Sequence, residues 1–175
     1  MPLALTDPRW NDLASSYGSV EDTVAWLTEA QESGGLTDGR LGDLINEVLH
    51  QGDTCTAMYA VAPHLIEFAR QVPEPEALDL LIHAGLIYSS STKPEAVACP
   101  AFLRDDFAAA ARDGAKMLAP LLPTSRDFDA YKWAVAALAG FLGHHKFARF
   151  LDGLDFYEGQ FHHVLPDGPF PPEED

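Results

Sequence analysis

Histidines are the residues whose chemistry first suggests a functional site in this sequence. There are seven, among them His50, His64 and the adjacent pairs His144–His145 and His162–His163. Imidazole nitrogens bind metal ions and transfer protons near neutral pH. A helical metal site favours histidines four residues apart, whereas sequence neighbours point about 100° apart around a helix. No pair has the four-residue spacing, so the sequence predicts no metal ligand and no cofactor.

Nucleophilic catalysis has equally little support in the spacing of the residues. Cys55 stands near a predicted helix N-terminus, a position that lowers the pKa of a thiol, but no base is placed beside it. The acids of Asp105–Asp106 suit the first turn of a helix, where negative charge is stabilising. The sequence therefore predicts no catalytic residue. A hydrolase-type enzyme, with His50, His64 and acids meeting between helices, is kept as an alternative hypothesis.

The motif His50-Gln51-Gly52 has two interpretations. In the more common role of such a turn, Gly52 ends a helix in the left-handed conformation, and His50 or Gln51 bonds the last carbonyl groups. In the functional interpretation, the motif lines a binding surface with residues of the helix that follows. The predicted binding residues are then His50, Gln51, Tyr59 and His64.

Helices must position these residues. Alanine and leucine dominate the chain, and neither apolar–polar alternation nor β-branched runs indicate strands. Capping signals such as Ser19, Gly34 and Pro75 divide the apolar periodicity into segments. They predict about eight helices, at 7–15, 19–33, 38–51, 53–71, 75–88, 102–122, 127–142 and 144–151. We expect Pro63 to kink the fourth helix or to start a new one, and the apolar character of 77–88 indicates a buried central helix.

One stretch resembles a known family. Leu49–Leu65 places the His-Gln-Gly turn before an alanine-rich helix that contains Pro63. This pattern is similar to that of bacterial HEAT-like helical-repeat proteins, although Ile45 and Asn46 stand where that family has a tryptophan. The resemblance implies an all-α fold of stacked antiparallel helix pairs, an α-α superhelix. It also implies a link to polymorphic toxins, because some members of the family are regarded as immunity proteins against them.

The net charge of −16 is unevenly distributed. Residues 1–53 hold ten acids and two bases, residues 54–151 hold ten and nine, and residues 152–175 hold seven acids and no base. Nucleic acids and anionic membranes require a basic surface, so neither is expected as a partner. A basic protein partner would be attracted by the acidic ends. Solubility alone is the other explanation of such a charge.

The predicted organisation is one helical domain, 1–152, followed by an extended acidic strap, 153–175, rich in aromatic residues and proline. Neither a signal peptide nor an apolar span of membrane length is evident, which favours a cytoplasmic protein. The two cysteines do not make a disulfide framework. The leading hypothesis is a non-enzymatic protein-binding module, an immunity-type antidote to a basic toxin. A self-associating scaffold is a further alternative, and the oligomeric state is left open.

Overall fold

The computed structural model describes residues 1–50, 53–124, 128–152, 154–157 and 160–163. Helices that pack against one another make up most of these residues, which confirms the predicted helical fold class. Seven α-helices occur there: α1 (Glu21–Ser33), α2 (Asp38–Val48), α3 (Met58–Ala69), α4 (Glu74–Ser90), α5 (Arg104–Leu118), α6 (Phe128–Phe141) and α7 (His145–Asp152). Short 3-10 helices lie at Pro8–Asp12, Ala101–Leu103 and Ala119–Thr124.

Several of the predicted helix ends are confirmed. The hydroxyl of Ser19 accepts a hydrogen bond from the Glu21 N–H at 3.2 Å, just where α1 begins. Gly34 ends α1 in the left-handed region, with φ at 84°, a conformation that glycine adopts without the steric cost of a Cβ atom. Pro75 lies in the first turn of α4, where its missing N–H has no helical partner to lose.

The first predicted helix, 7–15, is shorter than expected and is a 3-10 helix over Pro8–Asp12. The residues that follow this 3-10 helix form hydrogen bonds outside it. The Ala14 N–H donates to the Thr56 hydroxyl at 2.8 Å, and Ser15 pairs with Gly18 across a tight turn. These tertiary and turn hydrogen bonds satisfy the backbone groups that further helical turns would have used.

The fourth helix begins later than predicted, at Met58 rather than at residue 53 or 54. Bonds to distant segments hold the chain before it, because the Ala57 N–H donates to the Ala14 carbonyl and the Val97 N–H donates to the Thr54 hydroxyl, each at 3.0 Å. The helix then continues through Pro63, so of the two outcomes expected there a new helix start is excluded, and a kink stays a prediction. Eleven of the twelve residues of α3 are buried, and this packing outweighs the cost of one proline.

The long helix predicted at 102–122 is divided. Its α-helical part ends at Leu118, and a 3-10 helix follows over Ala119–Thr124. Pro120 explains the change, because proline donates no hydrogen bond and its ring crowds the carbonyl four residues earlier, that of Lys116. The tighter 3-10 turn accommodates both effects.

The predicted buried central helix is confirmed as α4, which packs mainly against α3 and α6. Its contact with α6 is unusually close. A Cβ atom added to Gly85 would meet the Ala137 backbone at 2.5 Å, and one added to Gly140 would meet the Gly85 carbonyl oxygen at 2.5 Å. The two helices therefore touch backbone to backbone. Elsewhere in this central group, α3 also packs against α5, and α5 against α6.

The tail contains a short hairpin where an extended strap was predicted. Strands β1 (Leu154–Tyr157) and β2 (Gln160–His163) pair antiparallel, with Leu154 opposite His163. Residues 153, 158–159 and 164–175 of the predicted strap lie outside the described residues, and the strap stays a prediction. None of the helices in the described part of the chain combines the length and the apolar character that crossing a membrane requires.

Candidate functional site

Three polar side chains form a hydrogen-bonded cluster at the surface, where α2 ends. The Tyr17 hydroxyl lies 2.7 Å from His50 Nδ1 and accepts a hydrogen bond from Asn46 Nδ2 at 3.0 Å. Asn46 Oδ1 lies 2.9 Å from the same His50 nitrogen. The aromatic rings of Tyr17 and His50 are also in contact, with centroids 5.1 Å apart. Every pair in this Tyr17–Asn46–His50 cluster is therefore connected.

The cluster has two arrangements of its protons. His50 Nδ1 either accepts the Tyr17 hydroxyl proton or, when it carries a proton itself, donates to Asn46 Oδ1. In the first arrangement Asn46 donates to Tyr17, which donates to His50, and the Asn46 oxygen is left available to accept. In the second arrangement the Tyr17 hydroxyl is available to donate. The same three side chains therefore offer an acceptor or a donor to whatever lies against them.

Local structure explains how Tyr17 reaches α2. A tight turn pairs Ser15 with Gly18, which has a φ of 105° that favours glycine. The Ser16 N–H donates to the Glu47 carbonyl at 2.7 Å and attaches this turn to the last turn of α2. Asn46 lies in the last turn of α2 and His50 lies just beyond the end of that helix, where Asn46 Oδ1 is 2.9 Å from His50 Nδ1. Backbone hydrogen bonds thus hold Tyr17 in place before any partner is bound.

The cluster is accessible, and the helix that carries Asn46 is acidic, as is the helix before it. Tyr17 is 58% exposed although its hydroxyl is bonded to two neighbouring side chains. The neighbouring helices α1 and α2 carry exposed acids at Glu21, Asp22, Glu29, Glu32 and Asp43. Their one arginine, Arg40, lies 3.4 Å from Glu29 and 3.5 Å from Asp43. Negative charge therefore predominates on α1 and α2.

Tyr59, another predicted binding residue, has a different set of neighbours. It is 2% exposed, its hydroxyl donates to the Val97 carbonyl at 2.6 Å, and its ring meets Phe107 edge-on. Burial raises the pKa of this phenol. These contacts attach the loop around Val97 to α3. A binding role for Tyr59 stays a prediction.

His64 lies in a third neighbourhood, beneath the N-terminal segment. It is 8% exposed and lies between the rings of Trp10 and Phe68. Its Nε2 is 2.9 Å from the Leu3 carbonyl, and since a carbonyl only accepts, this nitrogen carries the proton. Burial lowers the pKa of His64 to about 4, against a smaller opposing effect of the Leu3 bond. A binding role for His64 also stays a prediction.

The structure thus places His50, Tyr59 and His64 in separate settings, and Gln51 lies outside the described residues together with Gly52. Sequence reasoning missed Tyr17 and Asn46. The four-residue spacing of Asn46 and His50 could have indicated their contact. Nothing in the sequence pointed to Tyr17, because it comes from a turn 33 residues before His50.

Burial works against activation of the thiol that was considered from sequence. Cys55 is buried, and burial raises the pKa of its thiol, the reverse of the lowering expected near a helix N-terminus. Within the described ranges, no group of three or more histidine, cysteine or acidic side chains is arranged to hold a metal ion.

Comparisons with known proteins do not add to this geometry. No protein-family model matches the chain, and no curated protein or solved structure is significantly similar to it. The Tyr17–Asn46–His50 cluster and the acidic helices α1 and α2 are therefore the features from which a function is proposed.

Proposed function

We propose that this protein is a non-enzymatic binding module that captures a basic protein partner through the end of α2. The observation that carries the proposal is Tyr17, an exposed aromatic side chain that His50 and Asn46 hold in place. Tyrosine is enriched among the residues that dominate binding energy at protein interfaces. A side chain that is already ordered loses little conformational entropy on binding.

Charge supports a basic partner. The exposed acids of α1 and α2 would attract such a partner and raise its association rate at low ionic strength. The unpaired cysteines suit a reducing compartment, which supports the cytoplasm as the location of the complex. The resemblance of Leu49–Leu65 to HEAT-like proteins extends the proposal to an immunity-type role, in which the partner is a basic toxin.

We also propose that helices α3 to α6 form two stacked antiparallel pairs of the HEAT-like kind. The contacts that support this are α3 with α4, α5 with α6, α3 with α5 and α4 with α6. In stacked pairs, each helix contacts both its own partner and its equivalent in the next pair. The four contacts between these helices support the proposed stacking.

Affinity capture at low salt tests the proposed function. The native protein and two variants are immobilised and exposed to a lysate of the source organism. Tyr17→Ala removes the anchor. Tyr131→Ala removes a tyrosine that is also exposed, by 45%, but belongs to α6, which contributes no residue to the cluster. We expect the native protein and Tyr131→Ala to retain one basic protein, which Tyr17→Ala loses.

The retained protein is then identified and titrated against each variant at low and moderate salt. We expect Tyr17→Ala to bind it at least about tenfold more weakly, as for a dominant interface residue. Salt should weaken binding to the native protein, since exposed charges are screened. Recovery of the native protein alone, or equal retention by Tyr17→Ala, would refute the proposal.

A further inference from the structure

A recess opens between α2 and α4, at the opposite end of α2 from the Tyr17–Asn46–His50 cluster. Its volume is about 260 Å³. The residues that line it are Leu36, Leu41, Pro75, Glu76, Asp79 and Leu80. Leu41 and Leu80 are buried in the core, whereas Glu76 is exposed and the Asp79 side chain is 50% exposed. The recess therefore combines apolar walls with carboxylates that water reaches.

The two carboxylates are placed to act together. Glu76 and Asp79 are three residues apart on α4, so their side chains lie on the same face of the helix. Their negative charges repel each other weakly in the free protein. A cation placed between them would relieve this repulsion and interact with both.

No basic side chain of the described residues occupies this position. Arg40 is the closest in sequence to the α2 wall, but it is bound to Glu29 and Asp43 and lies over the Trp26 ring at 5.4 Å. Asp79 has one described partner, His83, whose Nδ1 is 3.4 Å from a carboxylate oxygen. Within the described chain, no lysine or arginine pairs with Glu76 or Asp79.

From this geometry we infer that the recess takes one lysine or arginine side chain of the partner protein. Such side chains have a long aliphatic stem and a charged end. The stem would lie against Leu36, Leu41 and Pro75, and the charged end would reach Glu76 and Asp79. Charge complementarity selects this occupant over a purely apolar side chain, which would leave both carboxylates beside a dry surface. The inference rests on the proposed binding of a basic protein.

Small probes test the recess without the partner. N-acetyl-arginine amide has both an aliphatic stem and a positive charge, whereas N-acetyl-norleucine amide has an aliphatic stem without a charge. NMR titrations follow the methyl signals of Leu36, Leu41 and Leu80 in the full chain. We expect the arginine probe to shift them with a Kd on the order of 1 mM and the norleucine probe to bind more weakly. No shift with arginine, or equal binding of both probes, would overturn the inference.

Charge variants supply the second measurement. In the variant that combines Glu76→Gln with Asp79→Asn, the arginine probe should bind about fivefold more weakly, as two partly exposed ion pairs are lost. Glu74→Gln is the matched control, because Glu74 is an exposed acid in the same helical turn but does not line the recess. Equal weakening in the control and in the double variant would overturn the inference, since it would show a general effect of charge.

The partner assay separates this inference from the proposed function. If the double variant retains the partner as well as the native protein does, while Tyr17→Ala loses it, the inference fails and the proposed function stands. If the arginine probe binds the recess but no protein is captured, the proposed function fails and the recess is a site for free basic groups. Loss of the partner in both variants, but not in Glu74→Gln, would support both.

Discussion

The central helices and the α1–α2 end of this protein are built in opposite ways. In α3, Glu67 is the one charged residue, and eleven of twelve residues are buried. In α1, four acids and no lysine or arginine occur, and the buried residues are Thr23, Leu27 and Ala30. Helix α4 meets α6 backbone to backbone, whereas α1 and α2 touch at few points. Burial of apolar surface supplies most of the stability of a fold.

This difference indicates a division of roles. The central helices hold the molecule together, so the α1–α2 end is free to carry uncompensated charge and an exposed tyrosine. Binding surfaces are commonly found in the less stable parts of a protein for this reason. Substitutions in the central helices and in the α1–α2 end should therefore change the free energy of unfolding by different amounts. The largest expected change is given first.

The largest effect is expected at the closest contact of the central helices. Gly85→Ala places a Cβ atom against the Ala137 backbone, at 2.5 Å, where no flexible side chain can move aside. The helices must separate, and we expect a loss of about 3 kcal/mol in the free energy of unfolding. Urea unfolding followed by circular dichroism measures it. A variant as stable as the native protein would contradict the close packing of α4 on α6.

Acidification should produce the next largest effect, through His64. Its pKa is about 4 in the folded protein and near 6.5 when unfolded, so the unfolded state binds the proton first as the pH falls. Stability contributed by neutral His64 is thus complete above the unfolded pKa and is lost between 6.5 and 4. From about pH 7.5 to about pH 5, we expect a loss of about 2 kcal/mol from this residue.

The control for this pH dependence is His64→Gln. Its amide Nε2 keeps a donor for the Leu3 carbonyl but does not titrate in this range. Unfolding curves measured across the same range should therefore fall less steeply for the variant. Identical curves for the native protein and His64→Gln would show that His64 does not carry the dependence.

A smaller effect of opposite sign is expected in α2. A Cβ atom on Gly42 would meet nothing within 4 Å. Gly42→Ala therefore adds no clash and restricts the unfolded chain, so we expect a gain of about 0.5–1 kcal/mol. Urea unfolding compares it directly with Gly85→Ala, the same substitution in the central helices. Destabilisation by Gly42→Ala would mean that α2 is packed as closely as α4.

The smallest change in stability is expected for Tyr17→Phe. The hydroxyl bonds to exposed or half-buried side chains, so its removal should change the free energy of unfolding by less than about 0.5 kcal/mol. The same variant should weaken capture of the partner, because the polar cluster is dismantled. Thermal unfolding measures the change in stability, and the capture assay measures the loss of partner binding. A large loss of stability with normal binding would make Tyr17 a structural residue.

The fold was largely predictable because its signals are local. Capping residues and apolar periodicity indicated most of the helices, and the apolar character of 77–88 identified α4 as buried. The errors arose where distant residues compete for backbone groups. Helix α3 starts later than predicted because Ala14 and Val97 form hydrogen bonds with the residues before it. Pro63 was tolerated because nearly every residue around it is buried.

The candidate site was less predictable than the fold. Of the four residues proposed from sequence, His50 lies in the cluster, Tyr59 and His64 lie elsewhere, and Gln51 is not described. The motif that selected them identifies one segment of chain, whereas a surface site is assembled from several segments. Tyr17 and the recess between α2 and α4 depend on tertiary contacts, and no spacing rule within one helix indicates such contacts.

The hydrogen bonds between Ala14 and residues 56–57 have a consequence for modularity. The N-terminal segment, which contacts α3 through Leu3 and His64, ends at Ala14, and the chain returns beside the same residue at Thr56 and Ala57, with hydrogen bonds of 2.8–3.0 Å. The two ends of the segment 15–55 therefore lie next to each other. Because its two ends lie close together, this segment can be replaced by another segment whose ends are equally close, without changing the rest of the fold. Evolution or design could alter partner choice by exchanging the α1–α2 segment and refitting the apolar face under it.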